Sequence, residues 1–400
     1  MAPPRFTSNV AIFSTQFITT LSALAVVAAD KIESPAITIY SIRHPSFSLH
    51  SNLIAKVIIP WCLSKGWQCR IVFIDDMKTL ESHSDLLITP RIDHRLSVAL
   101  INQLKPTRII ETGESIGVEP KLYSFKSRML RRAVLKRLQA DPTIISCKLA
   151  HFISISSYNP ERLHVLLEIC LATKQAFCND SQQTNANSLF AASPPGSTLL
   201  LFPYLTHPTN KKLFPKLYSR LRKWLGIKPR DEQYLSHIAI DQAAQFIAKG
   251  LKDANADQPA IIYLKPHPKN FGQIDQISRS LQRKLGNKKS CFQISPISAD
   301  LLLEQIVSEL SCVSHDRLPV IIGFGTNLLA AELFLYPFCE NVKLVSREEI
   351  RLFQFLDNAF QFAFHRTEFL RRRHVSRLMA SLRSGLEEMK MIDCSTLKSS

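Results

Sequence analysis

The chain has 400 residues, 46% of them hydrophobic and 21% charged, which excludes disordered, collagen-like and coreless chains and leaves room for two domains. Fifty lysines and arginines against 33 acidic residues give a formal net charge of +17, so an anionic partner is expected: a nucleotide-linked substrate, an anionic membrane surface or nucleic acid. The nine cysteines are odd in number, form no C-x-x-C pair and sit partly within apolar runs, which argues against a disulfide framework or zinc ribbon and for buried thiols in a reducing compartment.

Residues 10–29 follow Arg5 and are largely apolar, so a signal peptide is one reading of them. Ser14-Thr15-Gln16 and the later Thr19, Thr20 and Ser22 interrupt the run, and the better parse is a strand (Val10 to Phe13), a turn and a helix (Phe17 to Ala29). No other stretch is long and apolar enough to span a bilayer. Short apolar strands then recur between helix-length patterns: Ile37 to Ile42, Ile71 to Ile74, Leu86 to Ile88, Arg108 to Ile110, Ile144 to Ser146 and Phe152 to Ile155. This alternation predicts a parallel, doubly wound sheet. The polar stretch Asn179 to Ser197, with Ser193-Pro194-Pro195-Gly196 near its end, reads as a linker.

A second strand series follows: Leu199 to Phe202, Ile261 to Leu264, Phe292 to Ile294, Val320 to Ile322 and Val342 to Val345. Ile238, Ile240, Ala243, Ala244, Phe246 and Ile247 predict an amphipathic helix between the first two of these. From Arg347 to Lys390 the pattern is helical and basic. The expected fold class is α/β, with a first domain at 1–178, a linker at 179–197, a second domain at 198–346 and closing basic helices at 347–400.

Three segments carry chemistry. In Ile261-Ile262-Tyr263-Leu264-Lys265-Pro266-His267-Pro268 an apolar strand runs into a histidine clamped between prolines. Pro266 fixes its own φ, and each proline pushes the residue before it away from helix, so Lys265 and His267 are expected to be extended at a strand tip. Such tips are where ligands of open α/β sheets gather. In Val320-Ile321-Ile322-Gly323-Phe324-Gly325-Thr326-Asn327 a buried strand gives way to two glycines and a helix start. Thr326 suits the N-cap, and the free N–H groups behind it would face a phosphate. In Ile109-Ile110-Glu111-Thr112-Gly113-Glu114 a strand ends on a carboxylate, and Gly113 permits a tight turn. His44-Pro45 and His207-Pro208 read as loops.

Two domains of this kind, one linker and closing helices resemble the GT-B glycosyltransferases, whose two Rossmann-like domains face a substrate cleft. The three segments, together with Phe13-Ser14-Thr15-Gln16-Phe17-Ile18, are similar in order and spacing to bacterial GT-B sialyltransferases, including glycosyltransferase family 52 and the polysialyltransferases. That resemblance implies inverting transfer from CMP-sialic acid, as donor substrate with no cofactor, to a hydroxyl of a surface glycan. His267 would act as acid on the CMP phosphate, with Lys265, Gly323, Gly325, Thr326 and Asn327 around the donor and Thr15, Gln16 and Gly113 lining the site. The sequence departs from the family at the second acidic position, where the base would stand, because that residue is Thr112 and a threonine hydroxyl is no base at neutral pH. Glu111 is the expected substitute, with Glu114 as the alternative; otherwise the acceptor chemistry differs, or activity is lost and the chain is a basic membrane- or nucleic-acid-binding protein. No metal is expected, since the His/Cys spacing fits no metal site.

Basic segments complete the reading. Lys121, Lys126, Arg128, Arg131, Arg132, Lys136 and Arg137 fall in one helical pattern, and a second cluster runs from Lys211 to Lys223 among Phe214, Tyr218 and Trp224. A third, Arg371-Arg372-Arg373, lies in the closing helices. Each reads either as a surface for anionic membrane or polymer or as a solvated face over a core stripe. No helix-turn-helix, RRM or zinc-finger pattern accompanies them, so nucleic acid is not the expected partner. The expected location is cytoplasmic, at the inner face of the plasma membrane.

Overall fold

The computed structural model describes residues 8–14, 16–30, 32, 35–42, 50–74, 83–113, 125–140, 164–173, 175–176, 190, 193–194, 196–202, 240–241, 244–245, 248, 260–266, 273–286, 292–298, 301–310, 319–322 and 344–345. The strands expected at Ile144 to Ser146 and Phe152 to Ile155, the second and third basic clusters and the closing helices lie outside them.

The first sheet is built from β1 (Asn9–Phe13), β2 (Ala36–Ser41), β3 (Gln68–Phe73), β4 (Leu86–Thr89) and β5 (Arg108–Glu111), in the order β3-β2-β1-β4-β5. The second contains β6 (Thr198–Leu201), β7 (Ala260–Lys265), β8 (Phe292–Pro296), β9 (Val320–Ile322) and β10 (Leu344–Val345), in the order β10-β9-β6-β7-β8. Every pairing in both sheets is parallel. The two orders are the same: the first strand of each series is central, two successive strands build outward on one side, and the chain then returns to the other. That is the Rossmann-like, doubly wound pattern. It confirms the α/β class, and it places a topological switch point between β1 and β4 and another between β6 and β9.

Alternation along each strand feeds two faces. Val10 and Ile12 of β1 pack on one side with helix α1 (Phe17–Ala29), which is buried from Phe17 to Val27, while Ala11 and Phe13 pack on the other with Leu100, Ile101 and Leu104 of α3 (Arg95–Leu104). Between β2 and β3 lies helix 50–64, ending in α2 (Ile59–Ser64). Pro60 lacks the N–H that a regular helical turn would use here, and the helix widens into a π turn over Ile54–Ile58. In the second sheet Leu200, Phe202, Ile262 and Leu264 face α5 (Ile274–Leu285) through Ile277, Leu281 and Leu285. Leu199, Leu201 and Tyr263 face the opposite way and join a cluster that also holds α1 and Leu166, Ile169 and Cys170 of helix 164–173. One apolar core thus continues from the first sheet into the second. Each fully buried Leu, Ile or Phe in it contributes about 1.5–3 kcal/mol.

The end of the expected linker belongs to this core. Phe190 is buried with its ring edge-on to Tyr263, and the Ser193 and Tyr263 hydroxyls are 2.8 Å apart. Two further helices are α4 (Phe125–Gln139) and α6 (Leu303–Leu310). Among the described residues no helix is long and apolar enough to cross a membrane.

Candidate functional site

The parallel register sets the sequence motifs at common sheet edges. In the second sheet Leu201 of β6 stands opposite Lys265 of β7, and Leu200 stands opposite Ile322 of β9. The strand leading to His267 and the strand leading to Gly323 therefore end on either side of central β6. Neighbouring strands are about 4.8 Å apart, so these two ends are separated by about 10 Å. His267, Gly323, Gly325, Thr326 and Asn327 themselves lie outside the described residues.

Lys265 closes β7 and is only 7% exposed. Its Nζ donates to the Ser298 carbonyl at 3.2 Å, and its own carbonyl accepts from the Phe202 N–H at 2.8 Å. The Ile297 N–H in turn bonds the Leu264 carbonyl at 2.8 Å. The chain just past β6 and β8 is thus tied to β7, and the ammonium is held among strand ends. A cation held there, away from bulk water, is the group expected beside a phosphate.

In the first sheet the switch point opens between the ends of β1 and β4. Beyond β1 the Ser14 N–H bonds the Tyr40 carbonyl at 3.0 Å, and the Ser14 hydroxyl meets that of Thr20 at 2.5 Å. Gln16 is exposed and is the N-cap of α1; its N–H donates to Thr19 Oγ1 at 3.2 Å, and its carbonyl accepts from the Thr19 N–H at 3.1 Å. Thr15 lies outside the described residues. The Phe17 N–H donates to His50 Nδ1 at 3.2 Å, a contact that joins residues 33 positions apart.

Burial pushes the His50 pKa down from 6.5 to about 4, so the ring is neutral at neutral pH and free to accept that bond. A depressed imidazole pKa means that protons favour the unfolded chain. The stability this histidine contributes is present above about pH 6.5 and is lost as the pH falls through about 4. The gap corresponds to on the order of 3 kcal/mol. His50→Asn keeps an acceptor near Nδ1 without a titrating ring. It is expected to flatten the pH dependence of the melting temperature over this window, and an unchanged slope would show that His50 does not carry it.

Glu111 closes β5 and is 0% exposed. Arg131 of α4 donates to its Oε2 through Nε at 2.9 Å and approaches the same oxygen through Nη2 at 2.8 Å. The Ile92 N–H points to Oε1 at 3.4 Å. Burial raises the Glu111 pKa, the Arg131 hydrogen bond and charge oppose that rise, and the nearby Asp93 carboxylate adds to it. Asp93 has its own guanidinium: Arg91 Nε reaches Oδ1 at 3.0 Å and Nη2 reaches Oδ2 at 2.5 Å. Thr112 is buried and its N–H bonds the Thr89 carbonyl at 2.9 Å, which continues the β4–β5 ladder one residue past the strand. Gly113 then turns with φ +83°, a left-handed conformation that a side chain would strain. Glu114 lies outside the described residues.

The structure therefore brings Glu111 together with Arg131, Asp93 and Arg91, partners that the sequence reading did not connect with it. Asp93 had a usable signal, since it stands four residues past the end of a buried strand at a switch point. Arg131 had none, being one cation among several in a basic helix.

No family model matches the chain, and no curated protein matches it. Among solved structures it is similar to Anabaena HepE, solved with UDP and glucose, at 10% identity and a TM-score of 0.38 over 98% of this chain and 100% of that one. It is also similar to a sialyltransferase from Photobacterium damsela, at 9% identity and a TM-score of 0.32 over 85% of this chain and 82% of that one. MurG of Acinetobacter baumannii gives 10% identity and a TM-score of 0.28 over 94% and 95%. The architecture is read from the two strand orders, which make this chain a two-sheet, doubly wound α/β protein.

Proposed function

We propose that the protein is an inverting GT-B glycosyltransferase that moves sialic acid from CMP-sialic acid to a hydroxyl of a surface glycan. The observation that carries this reading is the register of the second sheet, which ends β7 and β9 at one edge on either side of β6. The strand to His267 and the strand to Gly323-Phe324-Gly325-Thr326 thus serve one edge, as they would if both act on one leaving phosphate. In this mechanism His267 gives a proton, or a charged hydrogen bond, to the CMP phosphate oxygen as the bond to the anomeric carbon breaks. Backbone N–H groups of Gly325 and Thr326, the Thr326 hydroxyl and the Lys265 ammonium balance the charge that grows there. Gly323 and Asn327 would contact the donor beside them. A carboxylate at or just past the end of β5, Glu111 or Glu114, takes the proton of the attacking acceptor hydroxyl. Gly113 turns the chain there, and Thr15 and Gln16 would contact substrate at the first switch point.

Incubation with CMP-sialic acid and a glycan acceptor should release CMP in proportion to acceptor. Release with a UDP-sugar instead would keep the transferase and change the donor. Tight, salt-sensitive duplex binding without any turnover would favour a nucleic-acid protein.

The outer face of α4 supports a second partner, an anionic bilayer. Met129 and Leu130 are 49% and 47% exposed, with the exposed cations Arg132, Lys136 and Arg137 on the same helix and no acidic residue in it. Inserting both apolar side chains and drawing the cations to anionic headgroups would hold the enzyme at the leaflet. Met129→Ser with Leu130→Ser is expected to weaken binding to phosphatidylserine vesicles by about tenfold or more, from the lost transfer energy of two side chains. Equal binding by both forms would leave this helix a solvated face.

A further inference from the structure

We propose that Arg131 is a positioning residue for the acceptor side of the reaction, clasping α4 to the carboxyl end of β5, and that Glu111 is its anchor rather than the proton acceptor. The inference rests on the transferase reading above. Glu111 is the last residue of β5, and Arg131 lies on α4. The ion pair joins positions 20 residues apart and so ties the end of the strand to the helix.

Three observations separate this role from that of a base. A base must come within about 2.6–3.2 Å of the oxygen it deprotonates. Glu111 is fully buried, and one of its oxygens already receives two guanidinium nitrogens while the other faces the Ile92 N–H. Its charge is therefore committed within the fold. The neighbouring carboxylate, Asp93, is held by Arg91, so each acid in the cluster has its own cation. Finally, the chain leaving β5 is fixed twice over: Thr112 is bonded to Thr89, and Glu111 is held by Arg131, before Gly113 turns the chain. An anchor at that point fixes where the chain leaves the edge of the first sheet.

The test compares Glu111→Gln, Arg131→Met, Arg132→Met and Glu114→Gln in the full-length protein by acceptor-dependent transfer, donor hydrolysis without acceptor, and the pH profile of kcat. Glu111→Gln and Arg131→Met are expected to raise the acceptor KM tenfold or more and to keep the acid limb of the profile, and Arg131→Met to leave donor hydrolysis within twofold. The double variant is expected to be no worse than the weaker single one, because both remove one clasp. Arg131→Lys keeps the charge but loses the fork, and it serves if Arg131→Met fails to fold. Two results overturn the role while leaving the transferase intact. One is loss of the acid limb in Glu111→Gln with acceptor KM unchanged, which would make Glu111 the base. The other is an Arg131→Met enzyme indistinguishable from Arg132→Met. Wild-type protein that turns over no nucleotide sugar would instead remove the transferase reading, and this role with it.

Discussion

His267→Ala is expected to lower nucleotide release from the donor by about 10²–10⁴-fold, the range for losing a general acid in the transition state. The melting temperature should stay close to wild type, because the residue follows β7 rather than forming part of it. The geometry around the strand end explains why so much would depend on one side chain. Pro266 is buried, and Lys265 before it is bonded through both its ammonium and its carbonyl, so the chain leaves β7 along a fixed path. In the proposed site, replacing the imidazole would leave the phosphate with the Lys265 charge and the backbone N–H groups of Gly325 and Thr326. Those would bind a phosphate before and after bond cleavage alike, whereas a proton donor acts mainly as the leaving oxygen gains charge. The loss is accordingly expected in kcat, with donor KM changed much less. A loss confined to donor KM would make His267 a binding residue.

The second large effect concerns stability. Arg131→Met is expected to cost about 3–5 kcal/mol, the range for stripping one partner from a buried ion pair, because Glu111 would then be buried without its cation. In melting temperature that is on the order of 10 °C. Arg132→Met, one position along the same helix and exposed, removes the same formal charge and is expected to fall within about 0.5 kcal/mol of wild type. The contrast separates a specific pair from a general effect of net charge. Its pH dependence has a definite sign. Burial raises the Glu111 pKa and Arg131 holds it back, so in the variant the carboxyl takes up a proton more readily. The penalty is therefore expected to be greatest at high pH and to shrink as the pH falls and Glu111 becomes neutral. Equal melting of the two variants at neutral pH would contradict the clasp.

Much of the fold was legible in the sequence, and the reasons differ between elements. Helix α1 was expected over Phe17 to Ala29 and is found there, because a turn-forming polar triplet precedes a long apolar run. Strands β1, β4, β5, β6, β7 and β9 lie within about one or two residues of their expected bounds, since parallel strands buried on both faces read as unbroken apolar runs. β3 was expected from Ile71 but begins at Gln68. It is an edge strand, so polar residues are tolerated at its start while the ladder to β2 still forms, Gln68 opposite Ala36. The stretch ending at Ser197 reads as a linker from its prolines and polar residues, yet Phe190 and Ser193 pack against Tyr263, a partner about seventy positions away that no local pattern could indicate. The same limit governs the site. Lys265, Glu111 and Gly113 could be named because strand ends and glycines are local signals. The Arg131–Glu111 clasp and the His50 contact to α1 could not, because each depends on which helix the fold lays beside which strand end.

The measurement that tests the central claim most directly is a nucleotide-sugar screen read by nucleotide release, run on wild-type protein and His267→Ala in parallel with and without a glycan acceptor. The account predicts acceptor-dependent CMP release from CMP-sialic acid by the wild type and at least a hundredfold less by the variant, at about equal melting temperature. The claim is contradicted if no CMP-sugar is turned over or raises the melting temperature, or if His267→Ala releases CMP at the wild-type rate.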